Sequence, residues 1–406
     1  MMLFCLLFSL GEQGKYASAI SLREKLFANY SKHILPSIDE EKPVEVFYNF
    51  ALNQIMLVNI LEMSVKLLIW NRIKWIDRNL KWNPQDYNNV TQMTVESDII
   101  WKPDLVISES TKVEKPALID MEYELQYTGE ITVLTINVIV IKCSINVKYF
   151  PFDEQLCPLT VESWANPDTD IMVLPYEQYP DSADISNYVT NEEWELISVK
   201  SINKTQLYLY GNFSQLRFNL RFKRKAMSYW KSLLIPSILL TMLTGFSFFL
   251  PIQCGEKIGY SITILLAQSV NSILVIEKLP QANEHPPLLS NFYVFSIAMA
   301  ACSLTLNILT VNLSFINTEV PQWLKSMRIA LDFSLCRFSK LTKNSNANIK
   351  NNNNNNNYTE ENSADLKRQE WNDLASTIDK SLGVIYTLIA VCIVFPIIAQ
   401  CAWKIF

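Results

Sequence analysis

Apolar and polar positions change their period along the chain, and the change divides it in two. Four stretches are almost continuously apolar: Tyr229–Pro251, Ile258–Ile276, Leu288–Leu313 and Leu382–Trp403. A helix of about 20 residues crosses a bilayer core, so each stretch is predicted to span a membrane. Before the first of them the pattern is the alternation of half-buried strands. Val65, Leu67, Ile69, Ile73 and Trp75 fall on one face of a period-two pattern, whereas Lys66, Trp70, Arg72 and Lys74 fall on the other. Leu216, Phe218, Leu220 and Phe222 alternate with Arg217, Asn219 and Arg221 in a strand that runs directly into the first span, and Ile131–Ile141 is also rich in strand formers. An amphipathic helix is expected around Leu22–Lys32. Many short strands with few helices predict an extracellular all-β sandwich, immunoglobulin-like and antiparallel, followed by a four-helix transmembrane bundle.

The export of the strand-rich half rests on the N-terminus and the cysteines. Met1–Leu10 is apolar but too short to span, and Ala17-Ser18-Ala19 offers the small-x-small pattern of signal cleavage, which predicts a secretory signal at 1–19. A buried N-terminal strand is the alternative. The expected organisation is then a ligand-binding sandwich at 20–228, three spans at 229–313, a cytoplasmic loop at 314–381, and a fourth span with a short tail at 382–406. Between signal and first span lie only Cys143 and Cys157, with thirteen residues between them, and one disulfide is the economical reading. Closing such a loop stabilises a fold by about 3 kcal/mol in the chain-entropy model. Four sequons, at Asn29, Asn89, Asn203 and Asn212, suit an exported domain. The basic Arg221, Lys223, Arg224 and Lys225 oppose this topology under the positive-inside rule, but a long translocated domain overrides that bias.

Composition adds exclusions. The 406 residues are 49% hydrophobic and 18% charged with a net charge of −5, and no long basic block exists, which excludes a nucleic-acid binder. Cys254, Cys302, Cys336, Cys392 and Cys401 lie in or near spans and the loop without metal-ligand spacing, and His33 and His285 stand in no catalytic motif. Neither an enzyme, a metal nor a cofactor is implied. The loop contains Asn344–Asn357, with seven consecutive asparagines at Asn351–Asn357, a tract expected to be disordered. The helix near Leu366–Lys380 is expected to continue into the fourth span.

Two groups of residues carry candidate chemistry. Lys257–Ile276 holds Gly259, Tyr260, Ser261, Thr263, Gln268, Ser269, Asn271 and Ser272, too polar for a lipid-facing span. One stripe at helical spacing contains Gly259, Thr263, Leu266, Val270, Leu274 and Glu277, with Glu256 a turn before it. Repeated around an axis, that stripe makes carboxylate rings at both mouths of a pore, an apolar constriction between them, and polar residues owed to water. The alternative is an amphipathic helix buried in a closed bundle. The second group is aromatic: Trp70 on a polar strand face, Trp164 seven positions after Cys157, and the cluster Tyr208, Tyr210 and Phe213. Each alone fits packing under a loop. Together their ring faces would attract a quaternary ammonium by about 0.5–2 kcal/mol per contact.

Longer motifs carry a resemblance. Cys143 to Cys157 encloses Phe150-Pro151-Phe152-Asp153; Trp75-Ile-Asp-Arg-Asn-Leu-Lys-Trp82-Asn83-Pro84 and Trp101-Lys-Pro103-Asp104 precede it. Gly255-Glu256-Lys257 followed by Leu265-Leu266, then Pro321-Gln-Trp323-Leu, and Glu370-Trp371 with Ala375 and Asp379, complete the set. These segments resemble the Cys-loop receptors and, among them, nicotinic acetylcholine receptor subunits. The resemblance implies a pentameric ligand-gated channel at a plasma membrane, multi-pass and postsynaptic, with its N-terminus outside and other receptor subunits as partners. It implies acetylcholine or a similar quaternary amine as ligand, and permeant sodium and potassium, with calcium undecided. The ligand would sit between subunits, with Trp164 and the Tyr208–Phe213 capping loop on the principal face and Trp70, Leu134 and Thr132 on the complementary one. The Cys143–Cys157 loop and the Leu279–Pro287 link would transmit binding to the pore. Departures point to a complementary, non-α role: the capping loop lacks an adjacent cysteine pair, and Ser108 stands where a binding tyrosine is usual. Ala226 replaces a proline before the first span, and Gly259 a hydroxyl residue at the narrow end of the pore.

Overall fold

A computed structural model of the chain describes residues 2–36, 42–114, 122–277, 287–334 and 359–405. The asparagine tract Asn344–Asn357, Cys336, His285 and most of the Leu279–Pro287 link lie outside these residues. The chain forms two compact units, Met1–Asn146 with Asp153–Lys225, and Val147–Phe152 with Ala226–Phe406.

The first unit opens with α1 (Met2–Phe27) and continues as eleven strands: β1 (Val44–Asn59), β2 (Ser64–Ile76), β3 (Gln92–Glu96), β4 (Leu105–Ile107), β5 (Ser110–Glu114), β6 (Glu122–Gln126), β7 (Glu130–Lys142), β8 (Glu154–Ser163), β9 (Ile171–Pro175), β10 (Trp194–Tyr208) and β11 (Gly211–Arg224). The helix corrects the expectation at Leu22–Lys32. It begins far earlier because the apolar run from Met2 contains no proline, and it stops at Phe27, where Asn29 and Ser31 favour a turn closed by Tyr30 N–H on Phe27 O at 3.4 Å. One sheet runs β3-β6-β7-β2-β1-β9 with β5 also on β7, and the other runs β10-β11-β8-β4; among these strand pairs β1 with β9 is parallel and the rest are antiparallel.

The period-two faces appear as read. Val65, Leu67, Ile69 and Trp75 are buried in β2, and Leu216, Phe218, Leu220 and Phe222 in β11. The two apolar faces meet through Phe50 and Phe218, edge to face at 4.8 Å. Motif residues turn out to be structural: Trp75 packs on Trp101 and Tyr123 at 6.2 and 6.0 Å, and Asn83 caps the turn Pro84–Tyr87. Cys143 and Cys157 are bridged, with Cα atoms 5.2 Å apart.

Near the end of β11 the Arg224 side chain is fully buried. Its Nε and Nη2 donate to Asp153 at 2.8 and 3.2 Å, its Nη1 donates to Glu193, and its guanidinium lies 4.1 Å from the Trp194 ring. The charges that conflicted with topology are thus partly committed to structure, since Arg221 likewise pairs with Glu154.

The second unit contains α2 (Met227–Tyr229), a π turn at Trp230–Leu234, α3 (Ile235–Phe246), α4 (Lys257–Ile276), α5 (Leu288–Ser314), α6 (Gln322–Ser334) and α7 (Thr359–Ile405). Among the described residues four helical runs are long and apolar enough to cross a membrane: Met227–Phe249, Lys257–Val275, Leu288–Ser314 and Leu366–Pro396. The helix expected at Leu366–Lys380 does continue into the last of them, in a single 47-residue helix about 70 Å long. The first and fourth spans cross at two glycines. A Cβ on Gly245 would lie 3.1 Å from Thr387 and Tyr386, and one on Gly383 3.0 Å from Phe249 and 3.1 Å from Phe248.

Arg224→Ala strips a buried carboxylate of its cation, so about 3–5 kcal/mol of stability should be lost in denaturant titrations of the detergent-solubilised protein followed by tryptophan fluorescence. A change below about 1 kcal/mol would show that solvent, not Arg224, satisfies Asp153.

Candidate functional site

Trp164 follows β8 directly, and its position is set by Asp104 of the Trp101-Lys-Pro103-Asp104 segment. Asp104 O accepts from Trp164 N–H at 3.1 Å, while its carboxylate accepts from Ser163 Oγ at 2.7 Å and Ala165 N–H at 2.8 Å. The residues on either side of the tryptophan are therefore clamped, and its ring stands 76% exposed. Burial acts to raise the Asp104 carboxyl, but the donors from Ser163, Ala165 and Asn166 outweigh it and hold the group below the usual carboxylate range.

The capping segment is the tip of the β10–β11 hairpin. Tyr208 pairs with Gly211, so only Leu209 and Tyr210 form the turn, and Tyr210 is 88% exposed. Phe213 is buried beneath the Tyr208 ring, edge to face at 5.5 Å, so it presents no free face to solvent. The pairing of β11 with β8 places Gln215 opposite Glu162. That juxtaposition assembles a group that local patterning did not reveal. The buried Glu162 carboxylate accepts from Gln215 Nε2 at 2.5 Å, from Tyr208 OH at 3.2 Å, and from Ser108 Oγ. Burial, followed by the charge of Glu162, pushes the Tyr208 phenol above its ordinary value. Ser108, noted in the sequence only as a missing tyrosine, is a partner of this carboxylate.

Trp70 lies on the other sheet. Its neighbours Ile69 and Asn71 are buried toward the core, so Trp70 takes the outer face of β2. Opposite it on β7 stands Ile136, and Leu134, 67% exposed, faces Arg72, with Thr132 facing Lys74. Trp70, Leu134 and Thr132 thus share one outer face, while Trp164, Tyr208 and Tyr210 gather at the end of the other sheet.

On α4, Gly259, Thr263, Leu266, Val270 and Leu274 are exposed, as are Glu256 and Glu277 at its two caps. Lys257, Ser261, Ile264, Gln268, Ser272 and Val275 are buried. This corrects the attribution of the helix's polarity to water alone. Half of that polarity is turned into the bundle: Asn307 of α5 bonds Ser261 and Ser247 at 2.9 Å each, and Asn271 donates to Ser237 at 2.7 Å. Lys257 pairs with Asp379 of α7 at 2.5 Å, both buried. Polar side chains within a span find partners on adjacent helices because lipid supplies none. Among the described residues no cluster of three or more metal-ligating side chains occurs.

Residues 19–226 match the family model of the neurotransmitter-gated ion-channel ligand binding domain, and residues 233–379 match that of the neurotransmitter-gated ion-channel transmembrane region. The chain belongs to the neurotransmitter-gated ion-channel family. The family's members are receptors, not enzymes. The chain is 30% identical over 322 residues to neuronal acetylcholine receptor subunit alpha-9-I of Oncorhynchus mykiss, covering 78% of this chain and 55% of that protein. It is 32% identical over 317 residues to the human alpha-9 subunit, covering 76% and 64%, and 32% identical over 313 residues to 5-hydroxytryptamine receptor 3A of Cavia porcellus, covering 75% and 64%. The matches span only 55% to 64% of the length of these relatives.

Because the Asp104 pKa is depressed in the fold, its carboxylate contributes stability above the unfolded value of about 3.9 and loses it as pH falls through the lower folded value. Asp104→Asn should therefore cost about 1 kcal/mol near neutral pH, reduced by solvent screening at this partly exposed group, and nothing in strong acid. Thermal midpoints of wild type and variant that stay equally far apart from pH 7 to pH 2 would contradict the assignment.

Proposed function

We propose that the chain is a subunit of a cation-selective, neurotransmitter-gated channel of the plasma membrane, with acetylcholine as agonist. It serves at a postsynaptic site, with its sandwich outside the cell after removal of a signal at 1–19. The observation that carries the reading is the division of α4 into two faces. Seven residues in helical register are exposed, and the opposite face is held by its own bundle. Five such helices around an axis put Glu256 and Glu277 in rings at the two mouths, concentrating sodium and potassium, with Leu266, Val270 and Leu274 between them as a constriction that opens by wetting.

The ligand residues support a ring as well. Trp70 and Trp164 lie on different sheets of one sandwich, so a cage that uses both takes its halves from two neighbouring subunits, the head-to-tail arrangement that closes rings. The capping hairpin between β10 and β11 contains no cysteine, and Ser108 offers no ring. Trp70, Leu134 and Thr132 therefore serve as the complementary face opposite an α-type partner in a heteropentamer. The 30% identity to an alpha-9-I subunit fits the acetylcholine class without requiring a full principal face here.

Co-expression with α-type subunits and current recording tests this. Acetylcholine should evoke currents whose reversal potential follows the cation gradient, and Thr263→Cys should make them sensitive to thiol reagents applied to the pore. Reversal that tracks chloride, or silence with every α-type partner, would sink the reading. Leu266→Ser should wet the constriction, by a difference of about 1–2 kcal/mol, and so shift the acetylcholine concentration for half-maximal current about tenfold lower. An unchanged dose response would place the gate elsewhere.

A further inference from the structure

We propose that Gln268 is a latch on the bundle side of α4: its side-chain amide, unpartnered in this conformation, closes onto Ser296 of α5 when α4 moves during gating. The inference rests on the channel reading above and adds to it a pair of residues that lie outside the pore.

The observation that carries it is an imbalance on one helix face. Lys257, Ser261, Gln268 and Ser272 are buried polar residues of α4. Lys257 pairs with Asp379, Ser261 donates to Lys257 O and accepts from Asn307, and Ser272 donates to Ser269 O. Gln268 is only 1% exposed, and neither its Oε1 nor its Nε2 has a partner. A buried amide left unpaired is costly, the more so in a bundle surrounded by lipid, where no solvent stands in. Methionine, unbranched and of similar length, would fill the same space without that cost. The amide recovers its cost only if a second arrangement of the same helices pairs it.

Depth identifies the partner. Asn271 donates to Ser237 of α3, and Asn307 joins Ser261 to Ser247, so α4 is levelled against the first span near both of its ends. By the helical rise, Gln268 lies about 4.5 Å along the axis from Asn271 and about 10.5 Å from Ser261. On the same measure Thr241 lies about 6 Å from Ser237 and about 9 Å from Ser247, so Gln268 and Thr241 share a level to within about 2 Å. Ser296 stands there too, its Oγ 3.4 Å from Thr241 Oγ1. Thr241 has one proton and gives it to Ser237 O at 2.8 Å, which makes the longer contact the weak one. Ser296, 3% exposed, thus keeps an O–H that meets no close acceptor among the described residues, while Gln268 Oε1 has no donor. An unspent donor and an unspent acceptor stand at one depth on packed helices. Their meeting needs α4 to turn or tilt, and α4 carries the stripe that lines the pore. The bonds above and below are made by the long amide arms of Asn271 and Asn307, which follow a small rotation, so Gln268 is the group that gains by it. A bond formed in one state alone shifts the balance between states toward it.

Current recording from the full chain co-expressed with α-type partners, together with thermal unfolding of the detergent-solubilised chain, tests the latch. Gln268→Met and Ser296→Ala should each move the acetylcholine concentration for half-maximal current about threefold, in the same direction. The double variant should move it no further, because the same bond is lost in all three. Gln268→Met should also raise the thermal midpoint, since it removes an amide that this conformation leaves unpaired. Shifts that multiply to about ninefold in the double variant, a shift in one single variant alone, or no shift at all would overturn the latch, and sodium currents would leave the channel reading standing. A midpoint that stays or falls would show the amide already bonded, by water or by protein, and would overturn the latch as well. Silence of the wild type with every partner sinks the channel reading and takes the latch with it.

Discussion

A guanidinium can be buried only where carboxylates meet its charge, and Arg224 meets that condition with residues from two distant parts of the chain. Asp153 belongs to the disulfide loop, Glu193 to the turn before β10, and Trp194 to the first position of β10. Removing Arg224 or Asp153 leaves the other's charge stranded in a dry place. The consequence reaches well beyond the pair. Arg224 is the last residue of β11, and β11 is hydrogen-bonded on one side to β10 and on the other to β8. A slip of one residue in β11 would turn its apolar row outward and move Gln215 away from Glu162. The capping hairpin and the Trp164 turn are thus registered against each other by a pair at the opposite end of the same strand.

The membrane half solves a related problem without a dominant pair. Its helices are apolar on average, yet their contacts are lined with Ser237, Ser247, Ser261, Ser303 and Asn307. In a bilayer, oily residues have no preference for one another over lipid, so hydrogen bonds and close packing decide which helix faces which. Small hydroxyl residues do both. They fix the rotation of α4 about its own axis, and with it the set of side chains left facing away from the bundle.

Regular alternation made β2, β7 and β11 legible in the sequence, because a period of two survives any tertiary context that buries one face. Apolar runs made the spans legible, and the stripe from Glu256 to Glu277 came out on a single exposed face. Three things were not legible. The helix at the N-terminus started twenty residues before its expected bound, since a continuous apolar run has no helical period to read. The polar residues of α4 could be assigned to water or to neighbours only once Asn307 and Ser237 were placed beside them. Glu162, Tyr208 and Gln215 are brought together by strand pairing across 46 and 53 residues, a relation that no local window contains. Arg224 misled for the same reason: as part of a basic run it suggested a membrane side, whereas its partner lies 71 residues away.

The crossing of the first and fourth spans shows how this chain uses a scarce residue. It has 8 glycines, and two of them, Gly245 and Gly383, meet at one turn of that crossing. During synthesis the fourth span leaves the ribosome after its three companions, so it must dock onto a bundle already begun. Reciprocal notches give that late arrival one depth at which backbones can approach, with the Phe248, Phe249, Tyr386 and Thr387 side chains closing around it. A methyl group at either glycine would press on those side chains at 3.0–3.1 Å, so one atom at this turn would push the two helices apart.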